Sequence, residues 1–463
     1  MKFTKKLVSL GLVFVMAVGA IGCGSTATKA TDAATTSDSG SDTATASGEK
    51  RIIKIGTWYD HYYDSTMDDI YDNPNVTDED QAQMQLDNVR AIEKKYNVEI
   101  QFVNLTYTGV QDSINTSILA GAPDCDIYEV DLQFGIPAAL NGYATDMTTV
   151  LPSDSDLFTD QTVMKYIQIG ADEGAYLLKA VAAETTIEAT YPIAFNKQMI
   201  DEAGLEDPRD LYAKGEWTWD KFREYMLALT KDSNGDGVTD VYGFGSDYQN
   251  LFGGLLMSNG ATVAAGKTQT LENPEVGEAL DYMYNMYNVD KDAYPWYADD
   301  FDSNRLWYKD GLVAFWVSAA WIMDSEKDGD LPFEVCFVPW PVGPSGNQDT
   351  NKMKNVTSGN GWIIPSGVED PELVYNVFYD WTNWYNFDTA ERDSNLSWWQ
   401  DAVLSDENFQ VMELMGSKEN FDLWNNLGVP YDLEGIVTGT LTTSQFQETY
   451  KQPFQDALDA FFN

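Results

Sequence analysis

One histidine, His61, and three cysteines are all this chain offers of the residues that most often ligate transition metals or act as nucleophiles. A multi-histidine zinc centre is therefore excluded, as is a serine or cysteine nucleophile served by a separate spare histidine. Cys125, in DCDIYEV, and Cys336, in FEVCFVPW, sit in strand-like apolar runs. There a thiol serves as a small buried hydrophobe, or the two could pair in an exported protein. Basic residues are scarce as well: 28 Lys and Arg against 74 Asp and Glu give a formal charge of −46. Binding to DNA, RNA or anionic lipid needs clustered cations, so nucleic acid is not an expected partner. Beyond the first two dozen residues there is no apolar run of membrane-spanning length, and no internal repeat.

The N-terminus itself, MKFTKKLVSLGLVFVMAVGAIGC, has a basic start, an apolar run and small residues before Cys23. This is the pattern of a secretory signal over 1–22, and its run is short for a membrane span. Ala20-Ile21-Gly22-Cys23 resembles a bacterial lipobox, which implies a lipid on Cys23 and a place on the outer face of the cytoplasmic membrane. Residues 24–49 contain no aromatic side chain and nothing aliphatic larger than alanine. With Cys23 they make 23–50 a disordered tether, spanning roughly 28 Å as a flexible coil.

The remaining body is too long for one ordinary core, and two lobes are expected. Its first part reads strand (RIIKIGT), helix (about 79–96), strand (VEIQFVNL), helix (QDSINTSILAG) and strand (CDIYEVD), the order of a parallel α/β sheet. Ligands of such sheets sit beyond the carboxyl ends of the strands, which nominates Trp58 and Tyr59 after the first strand, and Glu129 and Asp131 at the end of the third. Further on, Thr218 is placed to cap a helix, Pro274 and Pro371 to open two more, and GLVAFWV, FEVCFVPWPVGP and GWIIP read as strands.

Within KDSNGDGVTDVYGF, Asp232, Asn234, Asp236 and Asp240 occupy positions 1, 3, 5 and 9 of a calcium loop, with Gly237 at the turn. Position 12, where an EF-hand needs glutamate, is Gly243. A sensor is thereby disfavoured, and a structural calcium site that also uses the Val238 carbonyl stands against a plain Asp/Asn/Gly turn.

In order along the chain, GAPDCDIYEV, AFNKQMIDEAGLEDP, EWTWDKFREYMLALT, LWYKDGLVAFWVSAAW, FVPWPVGPSG and GNGWIIP…DPELVYNVFYDWTN resemble the carbohydrate-binding group of extracellular solute-binding proteins that serve ATP-driven importers. The resemblance implies an α/β, type II periplasmic-binding fold: two lobes joined by three crossings, with 51–187 plus 335–385 in the first and 188–334 plus 386–463 in the second. The crossings are expected near Glu188–Phe195, Phe333–Pro339 and 380–390. It further implies a monomeric, lipid-anchored, non-enzymatic protein that closes on a carbohydrate and delivers it to permease subunits, without a catalytic cofactor. Acidic loops like 232–240 occur at the same place in relatives.

A sugar offers apolar C–H faces and a rim of hydroxyls, so its site needs aromatic platforms beside carboxylates and amides. Trp321 matches the group's stacking tryptophan. Trp58, Tyr59, Glu129, Asp131, Gln133, Tyr248, Gln249 and Trp362 complete the candidate set, and the scarcity of cations in these loops favours a neutral oligosaccharide. A peptide or polyamine ligand, a glycoside hydrolase with a carboxylate pair, and a surface adhesion protein are the competing readings.

Overall fold

A computed structural model describes residues 50–58, 62–74, 76, 78–155, 167–179, 190–295, 306–323, 328–356, 360–393, 402–416, 419–421 and 423–463. The signal segment, Cys23 and its tether, and Tyr59 and Glu188 lie outside them.

Alternation of apolar and polar residues makes Arg51–Thr57 (β1), Val98–Asn104 (β2) and Ile127–Asp131 (β3) strands of one sheet. Between the first two, Asp78 caps helix α1 (Glu79–Tyr96), whose Leu86, Val89 and Ile92 are buried at helical spacing. The second connection is α2 (Tyr107–Ser113), which runs on as a wider turn over Ile114–Ile118. β1 pairs in parallel with both β2 and β3. Asp131 then caps α3 (Leu132–Leu140).

A second sheet starts with Ile193–Asn196 (β4). Thr218 caps α4 (Trp219–Leu229) through the Lys221 N–H at 3.3 Å, as its sequence position predicts. Then come Tyr242–Gly245 (β5), α5 (Tyr248–Ser258), a short hairpin of Ala264–Ala265 (β6) and Thr268–Gln269 (β7), and α6 (Pro274–Asn285). Val313–Val317 (β8) and Val335–Val338 (β9) complete the sheet in the order β5-β8-β4-β9. Beyond it, Lys354–Val356 (β10) pairs with Glu419–Phe421 (β12), while Asn360–Ile363 (β11) returns to β3, so the first sheet runs β11-β3-β1-β2.

Residues 335–338, grouped by sequence with the first lobe, therefore belong to the second sheet. VCFV pairs antiparallel with β4 over Ile193–Asn196, and the chain leaves that sheet only after Val338. α7 (Pro371–Thr382) packs on α1, and α8 (Asp406–Gly416) packs on β9. The last helix, α9 (Thr443–Phe462), touches both cores: Phe446 and Phe454 lie with the second sheet, Leu458 and Phe461 with the first.

The two described cysteines are free and buried, Cys125 beside β3 and Cys336 in β9. Burial pushes both thiols up to about 12. In different sheets and protonated, they act as core residues rather than as a disulfide. Among the described residues no helix is long and apolar enough to cross a membrane.

Candidate functional site

The topology fixes which edges of the sheets meet. β4 enters from the first sheet by way of Thr190–Pro192, and its first residue, Ile193, pairs with Val317 and Val338 at the carboxyl ends of β8 and β9. β11 returns from the second sheet, and its first residue, Asn360, pairs with Asp131 at the carboxyl end of β3. Both sheets thus turn the carboxyl ends of their parallel strands toward the connecting segments, where ligands of open α/β sheets bind.

Trp340 anchors this junction. It is fully buried, its indole N–H donates to the Tyr191 carbonyl at 2.8 Å, and its ring fills the space beside Gly254 of α5. A Cβ at Gly254 would lie 2.0 Å from the ring, so only glycine fits.

On the first sheet's side, the strand ends carry a connected group. The Tyr107 hydroxyl donates to Asp131 Oδ2 at 2.9 Å and accepts from Gln133 Nε2 at 2.7 Å, while Asp131 Oδ1 accepts the Gln133 N–H at 3.0 Å. Trp58 stands edge-on to Tyr107, with centroids 5.5 Å apart and planes at 86°, and Phe134 lies 5.0 Å away on tilted rings. Burial raises the Asp131 carboxyl above its ordinary value, and the three hydrogen-bonding groups pull it back. Burial and then the Asp131 charge raise the Tyr107 hydroxyl, which also feels Tyr191 of the connecting segment.

The structure therefore assembles Trp58, Asp131 and Gln133 from the sequence-predicted set and adds Tyr107 and Phe134. Tyr107 was within reach of the sequence. The strand-end rule that nominated residues after β1 and β3 applies equally to β2, whose continuation is Leu-Thr-Tyr. Glu129 and Trp362 are different. They face each other in register across β3 and β11, and both are buried. Trp362, 7% exposed, packs on Phe378 at 5.6 Å and Trp381 at 5.4 Å beneath α7, so it fills the first core and offers no free face to a ring. The strand that GWIIP forms carries it inward.

On the second sheet's side, Asp247 caps α5 just past β5, which puts the half-buried Tyr248 and Gln249 in its first turn. Tyr248 meets Tyr287 edge-on at 5.6 Å. After β8, Ser318 donates its N–H to the Pro192 carbonyl and Ala319–Ile322 make a turn. Trp321 in that turn is 43% exposed and belongs to none of the core clusters. It follows two fully buried alanines, Ala319 and Ala320, which seat the turn against the second core. A cavity of 460 Å³ lined by Tyr212, Lys214, Gly215, Thr218, Val342 and Gln348 shares no residue with these strand ends. The strand ends, where ligands of open α/β sheets bind, are the better candidate.

In the 232–240 turn, Asp232 accepts the N–H groups of Gly235 (2.7 Å) and Gly237 (2.8 Å), and Asp240 those of Ser233 (2.6 Å) and Asn234 (3.2 Å). These bonds, Gly237 foremost, hold the Asp232 carboxyl below its ordinary value. Among the described residues, no three His, Cys, Asp or Glu side chains converge as a metal site.

Known proteins agree with this architecture. An ABC substrate-binding protein of Listeria monocytogenes solved with cycloalternan superposes with a TM-score of 0.57 at 16% identity, covering 89% of this chain and all of its own. The maltose/maltodextrin-binding domain of Bdellovibrio bacteriovorus bound to maltotriose gives 0.55 at 15%, covering 88% and 100%. The acarbose-binding GacH receptor of Streptomyces glaucescens gives 0.54 at 14%, covering 89% and 99%. At such identities the likeness establishes the fold, a type II periplasmic-binding architecture. No curated protein matches the chain. The profile of the bacterial extracellular solute-binding proteins matches residues 73–390, more than two thirds of the sequence, and the chain belongs to that family.

Proposed function

We propose that this protein captures a neutral oligosaccharide between its two lobes and delivers it to the permease of an ATP-driven importer, held at the outer face of the cytoplasmic membrane by a lipid on Cys23. The observation that carries the reading is the pairing of an aromatic corner and a hydroxyl-binding edge at one strand end (Trp58, Tyr107, Asp131, Gln133) with an exposed tryptophan at the other (Trp321). Aromatic faces take the C–H face of a pyranose and the Gln133 amide takes its hydroxyls, while the buried Asp131 holds Tyr107 and Gln133 in place. Tyr248 and Gln249 contribute from the second lobe. The solved relatives that carry cycloalternan, maltotriose and acarbose support the substrate class. No step of this function breaks a covalent bond in the ligand.

Closure requires contacts that form only when both lobes touch the same ligand. Thermal unfolding of residues 50–463 against a panel of mono- and oligosaccharides tests this. A sugar at 100 times its dissociation constant adds about 2.7 kcal/mol of stability. The expected result is a raised midpoint for one sugar class, abolished by Trp321→Ala. A response to cationic peptides or polyamines alone would overturn the substrate, and turnover of the sugar would overturn the binding-protein reading.

For the 232–240 turn we propose a weakly held structural calcium, which requires Asp232, Asp236 and Asp240 to draw together from the positions in which they accept the turn's own amides. Each carboxylate offers about four acceptor positions, and the turn's own amides use only some of those on Asp232 and Asp240. Asn234, Asp236 and the Val238 carbonyl would supply the remaining oxygens.

A further inference from the structure

We infer that Tyr107 is the first lobe's specificity-determining platform, a ring locked at one angle by a strained Thr106 behind it and by the Asp131–Gln133 pair at its hydroxyl; the inference rests on the sugar-binding reading of the cleft. Thr106 has φ 64° and ψ 163°. That region of backbone space is essentially reserved for glycine, and a β-branched residue in it is a genuine outlier.

Local bonds hold it there. The Thr106 N–H donates to Asn104 Oδ1 at 3.1 Å, its carbonyl accepts the Val110 N–H at 3.1 Å, and its hydroxyl caps the Gly109 N–H at 3.4 Å. The Leu105 N–H, donating to the Thr57 carbonyl at 2.8 Å, continues the β1–β2 pairing up to the reversal. The backbone thus turns sharply at Thr106, and Tyr107 becomes the first residue of α2.

Two features separate Tyr107 from a core tyrosine. Its hydroxyl is fully engaged, donating to Asp131 and accepting from Gln133, yet 38% of the residue is exposed. The engaged end and the open face are what a preorganised platform needs, since little side-chain freedom remains to be lost on binding. Trp58, at 86° to it, closes one side of the corner. The ligand that fits has a flat apolar face of ring size with hydroxyls at its rim, within reach of the Gln133 side chain. Gln133 acts on the ligand partly through Tyr107, and the buried Asp131 and Thr106 act only through it, as positioning residues.

The test compares Thr106→Gly, Tyr107→Phe, Tyr107→Ala and Trp321→Ala in residues 50–463. Affinity for maltotriose, cellotriose, xylotriose and mannotriose is measured by calorimetry, and the unliganded midpoint by thermal unfolding. Thr106→Gly should raise the unliganded midpoint, because the strain disappears, while weakening the trisaccharide that binds by three- to tenfold, because the ring is no longer held. Tyr107→Ala should weaken it by 30-fold or more, with Tyr107→Phe in between. A merely structural role would move the midpoint and leave the affinity alone. If Trp321→Ala abolishes binding while the Thr106 and Tyr107 variants bind as tightly as the parent, the platform is refuted and the cleft reading survives; if the parent binds none of the four sugars, both fall.

Discussion

Asp292 should make the second lobe lose stability as the pH rises from about 4 to about 7. Its side chain is 0% exposed, and neither carboxylate oxygen has a partner among the described residues. Its backbone is fully used, the N–H donating to the Met286 carbonyl and the C=O accepting from Phe244 of β5, both at 3.1 Å. The nearest cation is already committed: Arg223 donates to Asp290 through Nε and, at 2.6 Å, through Nη2. Burial, reinforced by the Asp290 charge, carries the Asp292 carboxyl from 3.8 to about 7. The folded state therefore holds this proton more tightly than the unfolded chain. Below pH 4 both states are protonated and there is no penalty. Between about 4 and 7 the unfolded chain ionises first and stability falls, and above 7 the folded state bears the full cost, about 4 kcal/mol. Asp292→Asn removes the titration and leaves a constant, smaller cost for an unpaired amide, about 1–3 kcal/mol. Urea unfolding of both proteins from pH 4.5 to 8.5 isolates the effect, because the many other carboxylates cancel in the difference. The variant should gain on the parent by about 3 kcal/mol across that range, because about 1 kcal/mol of the cost is already present at pH 4.5. A difference that stays flat with pH would show that Asp292 has a partner or water that the reasoning omits.

Asn408 closes the open edge of the second sheet. Its Oδ1 accepts the Phe337 N–H at 2.7 Å, and its Nδ2 donates to the carbonyls of Val335 (2.9 Å) and Val403 (2.8 Å). Asn408→Ala should cost about 2–4 kcal/mol by denaturant unfolding, since it orphans buried backbone groups on the edge strand β9; a loss under 1 kcal/mol would mean that water replaces the amide. Calcium at ten times its dissociation constant should stabilise the body by about 1.4 kcal/mol, and Asp232→Ala should abolish the gain. An unchanged midpoint in calcium and in chelator would reduce the 232–240 segment to a turn.

Local chemistry made most of the elements legible. Asp and Thr caps, Pro274 and Pro371 in first turns, and the spacing of Leu86, Val89 and Ile92 each act within a few residues, so the sequence displays them directly. Pairing between distant strands is not displayed in this way. VCFV reads as a strand wherever it is placed, and only its partner β4 assigns it to the second sheet. The candidate site divides along the same line. Trp58, Asp131 and Trp321 are nominated by strand ends and family order, whereas the burial of Trp362 follows from the apolar run Trp-Ile-Ile that makes GWIIP a strand, and its packing under α7 is set by distant residues. Thr106 was invisible for a further reason: a left-handed φ normally announces itself as glycine, and here threonine holds it.

The last helix bears on how such a protein can open and close. α9 is fixed to the second lobe by Phe446 and Phe454 and by Gln447, which donates to the Leu271 carbonyl at 2.9 Å. It is fixed to the first by Leu458 and Phe461, whose carbonyl accepts the Gly170 N–H at 2.8 Å. A rigid rotation of one sheet against the other cannot leave both ends of a straight helix undisturbed. Pro453 stands within the helix, close to the change from one core to the other, and a proline there removes a main-chain donor and its hydrogen bond to the preceding turn. The helix is weakest against bending close to where the two lobes would pull it apart. Under the proposed function, ligand contacts by Tyr107 and Trp321 would work against this soft joint rather than against the packing of either core, so that a few hydrogen bonds and stacked rings would set a closed state.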